Sequence, residues 1–290
     1  MAVLRGDEWL LAGATDDFIS FLDQNEEQTP LGATKYKEGN GEDLIPLKPS
    51  AYRDFMLFEK HFIDASRGYV KKYMPSLFPI VNVYEKIVRK PFPMLKPKAR
   101  FYQHPIYYLG NHLNFLSEGD AIKIPSYTKE LDYELEIAAI INRPLKNASI
   151  EEVEEAIAGF VILNDFSARD VQKSEMESGF GPMKSKNFGS AISSVLVSKD
   201  ELLGRFSNLT TTVTINGNEI IRSSTVGMQY SIQEAIAYAS WEEQLHPNEI
   251  FGSGTIPGCS GIENGVMLKD GDTITLGVEG IGTLTNHVVK

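Results

Sequence analysis

Asp132-Tyr133-Glu134-Leu135-Glu136, followed by Gly159-Phe160-Val161-Ile162-Leu163-Asn164-Asp165-Phe166-Ser167-Ala168-Arg169-Asp170, is the pair of segments that decides how this chain folds. Residues two apart in a strand face the same way, so Glu134 and Glu136 point together while Leu135 and Ile137 take the opposite face. Ser149, with Glu152 three residues on, reads as a capping box opening a helix through about Ala158. The apolar run after it has the length of a buried strand and delivers Asp165 at its end. Three carboxylates converging from two strands repel one another unless a cation lies between them, and an oxygen-only donor set suits a hard divalent ion. A Glu-x-Glu on a strand is more often a solvated edge. Here, however, the charged cluster Asn164–Asp170 directly follows a run too apolar for a surface, and charge beside a core needs partners.

The composition bounds the rest. At 290 residues, 42% hydrophobic and 23% charged, the chain has the make-up of an ordinary globular protein. We expect a small β-rich domain over 1–50 and a larger domain over 51–290. A net charge of −11 argues against nucleic acid as a partner. No long apolar run or basic-then-apolar leader marks a membrane or secreted protein, and the single cysteine, Cys259, fits a reducing compartment, so a cytoplasmic location is expected. Residues 71–100 hold eight Lys/Arg against Glu85 alone, a surface facing solvent or a second subunit, or a rim that draws in small anions.

Residues 1–48 carry ten acids against four bases and pass through a Gly/Asn-rich loop at 37–43. Ser50 is placed to cap a helix in which Phe55, Phe58, Phe62, Ala65 and Tyr69 form an apolar stripe. On that helix Asp54 and His61 lie two turns apart, with Asp64 one turn beyond as an orienter of the imidazole. The proline- and lysine-rich 75–105 reads as a loop or lid. Lys186 stands at the mouth of an apolar strand, Ala191 to Val197. Asn216-Gly217 turns a hairpin between Thr210 and Ile221, and Ser231 with Glu234 caps a second helix. Gly252-Ser253-Gly254-Thr255 lacks the spacing of a nucleotide loop, but a glycine-lined threonine can approach a substrate closely. The pattern is α+β with strands dominating.

Four blocks occur in an order similar to that of the fumarylacetoacetate hydrolase family: Asp132–Glu136, Asn164–Gln172, Lys186-Asn187-Phe188-Gly189 and Ser253-Gly254-Thr255. The resemblance spans most of 50–290. It implies a mixed β-roll or β-sandwich, a divalent metal (Mg²⁺ first, Mn²⁺ or Ca²⁺ otherwise) and a homodimer. It places the metal carboxylates on Glu134, Glu136 and Asp165, adds Asp54, and makes His61, seven residues later, the catalytic base. It also puts Lys186 and Gln172 at the developing oxyanion and Arg169 and Thr255 on the substrate. In two places the chain departs from the pattern. Asn111, in Gly110-Asn111-His112, stands where the family has a substrate-contacting tyrosine. The glutamate that orients the histidine falls on Lys269 in a gapless alignment, which leaves Asp64 for that role, with Glu263 a poorer candidate.

The expected reaction is metal-dependent hydrolysis of a C–C bond in a 1,3-dicarbonyl or acylpyruvate-type acid, a small anionic ketonic substrate. A decarboxylase, hydratase or tautomerase on the same metal is the alternative if His61 lies too far from the substrate to activate water. A retired family member serving as a binding protein would lack ligands, and none is missing.

Overall fold

The computed structural model describes residues 49–290 and, before them, three short strands, β1 (Ala2–Arg5), β2 (Glu8–Leu11) and β3 (Thr34–Lys35). The Gly/Asn-rich loop at 37–43 lies outside the described residues. The chain continues through β4 (Ala51–Phe55), α1 (Glu59–Tyr73), α2 (Phe78–Val88), α3 (Ala99–Gln103), β5 (Tyr107–Gly110), β6 (Phe115–Leu116), β7 (Ala121–Lys123), β8 (Leu131–Asp132) and β9 (Leu135–Ile141). Next come α4 (Ile150–Ala156), β10 (Ile157–Asn164), β11 (Ser167–Ala168), α5 (Arg169–Ser178), β12 (Ser190–Ile192), β13 (Val195–Ser198) and α6 (Lys199–Leu202). The last elements are β14 (Thr210–Ile215), β15 (Asn218–Ser224), α7 (Ile232–Ala239), β16 (Glu249–Gly252), α8 (Gly261–Asn264), β17 (Thr273–Val278) and β18 (Gly282–Val289).

One mixed sheet runs β3-β2-β1-β13-β10-β9-β16-β4-β5, with β12 and β6 branching from β10, and a second runs β15-β14-β17-β18-β7. The fold is α+β, as the sequence pattern implies. Every residue of β9 and of β10 is buried, because both faces of these strands are covered. Leu135, Ile137, Ala139, Phe160 and Ile162 join the larger apolar core; Tyr52, Ala138, Ile140, Val161, Leu163 and Ile250 make a smaller one behind the other face. Glu136 belongs to the second face, at its open end.

Both capping boxes form. Ser149 accepts from the Glu152 amide at 3.2 Å and Glu152 accepts from the Ser149 amide at 2.7 Å; Ser231 and Glu234 repeat this at 3.1 and 2.7 Å. Asn216 and Gly217 turn the β14–β15 hairpin with φ of 52° and 77°, the left-handed pair of a type I′ turn.

Two expectations are corrected. Residues 51–55 are not helix but strand β4, in parallel register with β16 (Ala51 with Glu249, Asp54 with Gly252) and antiparallel to β5. Ser50 donates its hydroxyl to the Pro247 carbonyl instead of capping a helix, and the helix starts at Glu59. Segment 75–105 is not irregular, since it contains α2 and α3. Pro79 sits in the first turn of α2, where its missing N–H costs nothing and its fixed φ favours the helix.

Candidate active site

Strand register builds the floor of the site. Gly252 of β16 pairs with Asp54 of β4 on one side and Ala138 of β9 on the other, while Glu136 pairs with Leu163 just before Asp165. Asp54, Glu136 and Asp165 thereby meet, each offering an oxygen within 4.8 Å of the others. Gly252 makes the room: a Cβ there would lie 2.6 Å from Oδ1 of Asp54 and 2.8 Å from Oε2 of Glu136.

The partners of these carboxylates show which oxygens could receive a cation. Asp165 accepts from the hydroxyls of Tyr108 at 2.7 Å and Ser190 at 3.1 Å, and Glu136 accepts from the Gly254 amide at 3.0 Å. Lys186 bonds both Asp165 and Glu134. Oδ1 of Asp54 and Oε1 of Glu136, both buried, have no partner. Two orphaned carboxylate oxygens in an oxygen-only cradle fit a hard divalent cation. Glu134 stands beside the trio with its oxygens taken by Arg169 (2.6 Å) and Lys186.

Electrostatics agree with the geometry. Burial, and then the charge of Asp165, push the Asp54 carboxyl up to about 8. Burial and the same neighbours raise Glu136 well above the carboxylate range, and burial raises Asp165 against the pull of Lys186. Glu134 goes the other way: burial opposes its charge, but Lys186 and Arg169 overcome that and hold it ionised. The raised groups keep protons that an unfolded chain gives up near pH 4. Their contribution to stability is therefore complete below about pH 4 and lost as pH rises through about 8. A cation relieves that loss at high pH and competes with protons at low pH. Mg²⁺ or Mn²⁺ is thus expected to raise the melting temperature more at pH 8.5 than at pH 6.0 in scanning calorimetry; equal shifts would place the bound ion elsewhere.

Above this floor lies a cavity of about 600 Å³, lined by Asp54, His61, Glu134, Glu136, Arg169, Gln172, Lys186 and Thr255 among others. Of the residues singled out from sequence, these eight share one space, with Asp165 bonded directly beneath. The expected apolar stripe of α1 is not a core face: Phe62, Ala65 and Tyr69 line the cavity. Arg169 donates to Asp132 at 2.7 Å, to Glu134, and to Oε1 of Gln172 at 2.8 Å, which leaves the Gln172 amide N–H groups free to donate.

Two assignments change. Asp64 does not orient His61; its carboxylate is held by Lys60 and Arg67 along the outer side of α1. Nδ1 of His61 instead lies 3.1 Å from Oε2 of Glu263, whose oxygens also accept from Ser260 Oγ at 2.7 Å and the Gly258 amide at 3.0 Å. Burial disfavours the imidazolium, but Glu263 outweighs it and the His61 pKa is raised. Asn111 is not in the cavity: its amide bonds Asn187 at 2.9 Å, and Tyr108, three residues earlier, faces the site in its place. Cys259 is no nucleophile, being buried with its thiol pushed up to about 12.

Sequence reasoning also passed over Asp132, which accepts from Arg169 and from the Gly261 and Ile262 amides at 2.6 and 2.9 Å. It thus ties the Arg169 side chain to α8, the turn that carries Glu263. The signal for Glu263 was Ser260-x-x-Glu263, a helix-start spacing. Helix α8 docks on α1 at Gly68, where a Cβ would sit 2.0 Å from the Ile262 carbonyl oxygen. Gly68→Ala is therefore expected to cost about 1–3 kcal/mol, read as a lower melting temperature, and to open the His61–Glu263 contact.

A model of the fumarylacetoacetate hydrolase C-terminal domain matches residues 83–289. A mitochondrial oxaloacetate tautomerase of Xenopus laevis is 30% identical over 288 residues, 93% of this chain and 89% of that protein. An oxaloacetate tautomerase of Bacillus subtilis is 30% identical over 188 residues, 64% of this chain and 62% of that protein. Among solved structures, fumarylpyruvate hydrolase from Pseudomonas aeruginosa in complex with Mn²⁺ and pyruvate superposes with a TM-score of 0.61 at 18% identity, over 84% of this chain and 91% of that one. The 5-carboxymethyl-2-hydroxymuconate delta-isomerase from Mycobacterium smegmatis also gives 0.61, at 23% identity over 84% and 78%. At such identities the structures speak for the fold alone. Since the family match covers well over half of the chain, including Glu134, Glu136, Asp165, Arg169, Gln172, Lys186 and Thr255, the chain belongs to the fumarylacetoacetate hydrolase family.

Proposed function

We propose that this protein is a divalent-metal-dependent hydrolase that cleaves a C–C bond in a 1,3-dicarbonyl acid of the acylpyruvate type. The observation that carries the reading is the His61–Glu263 pair on the wall of the cavity floored by Asp54 and Glu136, a base with its orienter beside a cation cradle. Asp54, Glu136 and Asp165 would hold the ion, Mg²⁺ first with Mn²⁺ or Ca²⁺ as alternatives, and Glu134 would join them once Lys186 releases it. A cation there would supply Lewis-acid polarisation of the substrate.

The chain's own residues do the rest. His61, with Nδ1 turned to Glu263, takes a proton from water at Nε2, and the hydroxide adds to the acyl carbonyl. Lys186, kept protonated by Asp165 and Glu134 against the cost of its burial, and the free amide of Gln172 donate to the oxygen that becomes negative. Arg169 and Thr255 orient the acid. The C–C bond then breaks, so that acylpyruvate and water give a carboxylic acid and pyruvate.

A homodimer is part of the proposal, supported by α2, which exposes Ile80, Val83 and Ile87 at helical spacing. Light scattering on the eluting protein checks it.

A second reading, keto–enol tautomerisation, is favoured by the likeness to the X. laevis tautomerase. In it His61 moves a substrate proton and no C–C bond breaks. Acetylpyruvate with Mn²⁺ separates the two. Loss of enol absorbance with equal release of pyruvate and acetate supports hydrolysis, whereas enol loss without pyruvate supports the tautomerase. A Mn²⁺-loaded protein that consumes neither acetylpyruvate nor oxaloacetate would sink both.

A further inference from the structure

The cavity is larger than the chemistry at its floor requires. About 600 Å³ is the size of pocket that encloses a drug-sized ligand, whereas a short keto diacid fills only the end next to the carboxylates. The remaining wall is largely apolar, with Phe62, Ala65 and Tyr69 of α1 and the methionines Met56, Met74, Met94 and Met176 outweighing polar members such as Ser66 and Glu177. Four methionines suit a tail of variable shape, because the unbranched thioether repacks at little cost. The wall also lacks a receptor for a second carboxylate. Among the described residues its lysines and arginine are Arg169, Lys173 and Lys186. Arg169 and Lys186 stand at the floor, where the proposed reaction already uses them on the acid head and the developing oxyanion, and Lys173 pairs with Glu177 at 2.8 Å.

We infer that the site selects dioxo acids that carry an apolar tail, a linear acyl chain of about six carbons or an aryl ring laid along α1, over short keto diacids. The inference rests on the proposed function for the head of the substrate and adds the class of its tail. In the reaction, water adds to the acyl carbonyl and the C–C bond breaks. The tail then leaves as a fatty or aryl carboxylic acid, and the former methylene becomes the methyl of pyruvate.

The test compares kcat/KM of the Mn²⁺-loaded protein for acetyl-, butanoyl-, hexanoyl- and benzoylpyruvate and for oxaloacetate. Each buried methylene is expected to raise kcat/KM about three- to four-fold, giving on the order of 10²-fold from acetyl to hexanoyl. Ala65→Trp, which puts an indole into the cavity from α1, is expected to flatten the hexanoyl-to-acetyl ratio, and a ratio taken within one variant does not depend on the fraction folded. A flat profile among the acylpyruvates overturns the inference while leaving the hydrolase intact, whereas oxaloacetate preferred to hexanoylpyruvate overturns the inference and the hydrolytic reading together. If no compound turns over, the hydrolytic reading fails and binding decides the tail separately. Titration calorimetry of the Mn²⁺-loaded protein should then show 2-oxooctanoate binding on the order of 10²-fold more tightly than pyruvate, and equal affinity overturns the inference.

Discussion

Glu136→Gln is expected to lower Mn²⁺ affinity by more than about 10²-fold and turnover by about 10³-fold or more. The side chain is completely buried, one oxygen accepts from the Gly254 amide, and the other has no partner. Glutamine keeps the shape but removes the charge and can turn an amide N–H toward the ion, so the loss is electrostatic rather than steric. A second readout separates this from misfolding. Without metal, the variant drops one of three mutually repelling buried carboxyls, so at pH 8.5 it should melt at or above the wild-type temperature while losing the metal-induced rise. Gly252→Ala should reach the same end by crowding, since its Cβ would press on oxygens of both Asp54 and Glu136. A Glu136→Gln protein that kept its Mn²⁺-induced shift and its turnover would mean that the cradle lies elsewhere.

How much of this was legible in the sequence follows from how local each signal was. The capping boxes at Ser149 and Ser231 and the Asn216-Gly217 turn were readable because all the bonds involved close within a few residues. Glu134 and Glu136 could be assigned to one face because strand alternation alone fixes it. Residues 51–55 were misread because Phe55, Phe58 and Phe62 fit a helix and a strand-then-helix equally well. The ladder that decides, Ala51 with Glu249 to Asp54 with Gly252, joins segments about 200 residues apart in sequence. Asp54 and His61 nevertheless line one cavity, because the turn from β4 into α1 brings His61 back over the end of the strand.

Glu263 was harder still. Nothing within ten residues of it names a histidine as its partner, whereas Asp64 lies one helical turn from His61 and satisfies the local rule. Which acid wins depends on Gly68, which lets α8 approach α1, and on Asp132, which holds the start of α8. Asp64 lost because Lys60 and Arg67, at helical spacing on its own side, take both its oxygens.

The rivalry between the two acids gives the second large effect. His61→Asn is expected to lower kcat by about 10³- to 10⁴-fold in either reading, because the base serves both the water step and the proton shuttle. Glu263→Gln should cost on the order of 10²-fold, and Asp64→Asn no more than about two- to three-fold. The pH profile distinguishes positioning from mere packing. The Glu263 carboxylate opposes burial and raises the His61 pKa, so the neutral base accumulates only at higher pH in the wild type. Removing that charge leaves Glu134 alone to oppose burial and should move the acid limb of the kcat profile to lower pH, while Asp64→Asn leaves it in place. Glu263 lies outside the carboxylate trio, so the Mn²⁺-induced rise in melting temperature should survive in all three variants, confining the loss to chemistry. Were Asp64→Asn to match Glu263→Gln in both rate and pH shift, the dyad would have to be redrawn within α1. Full turnover in His61→Asn would mean that the reaction needs no base, as in loss of CO₂ from a β-keto acid polarised by the cation alone.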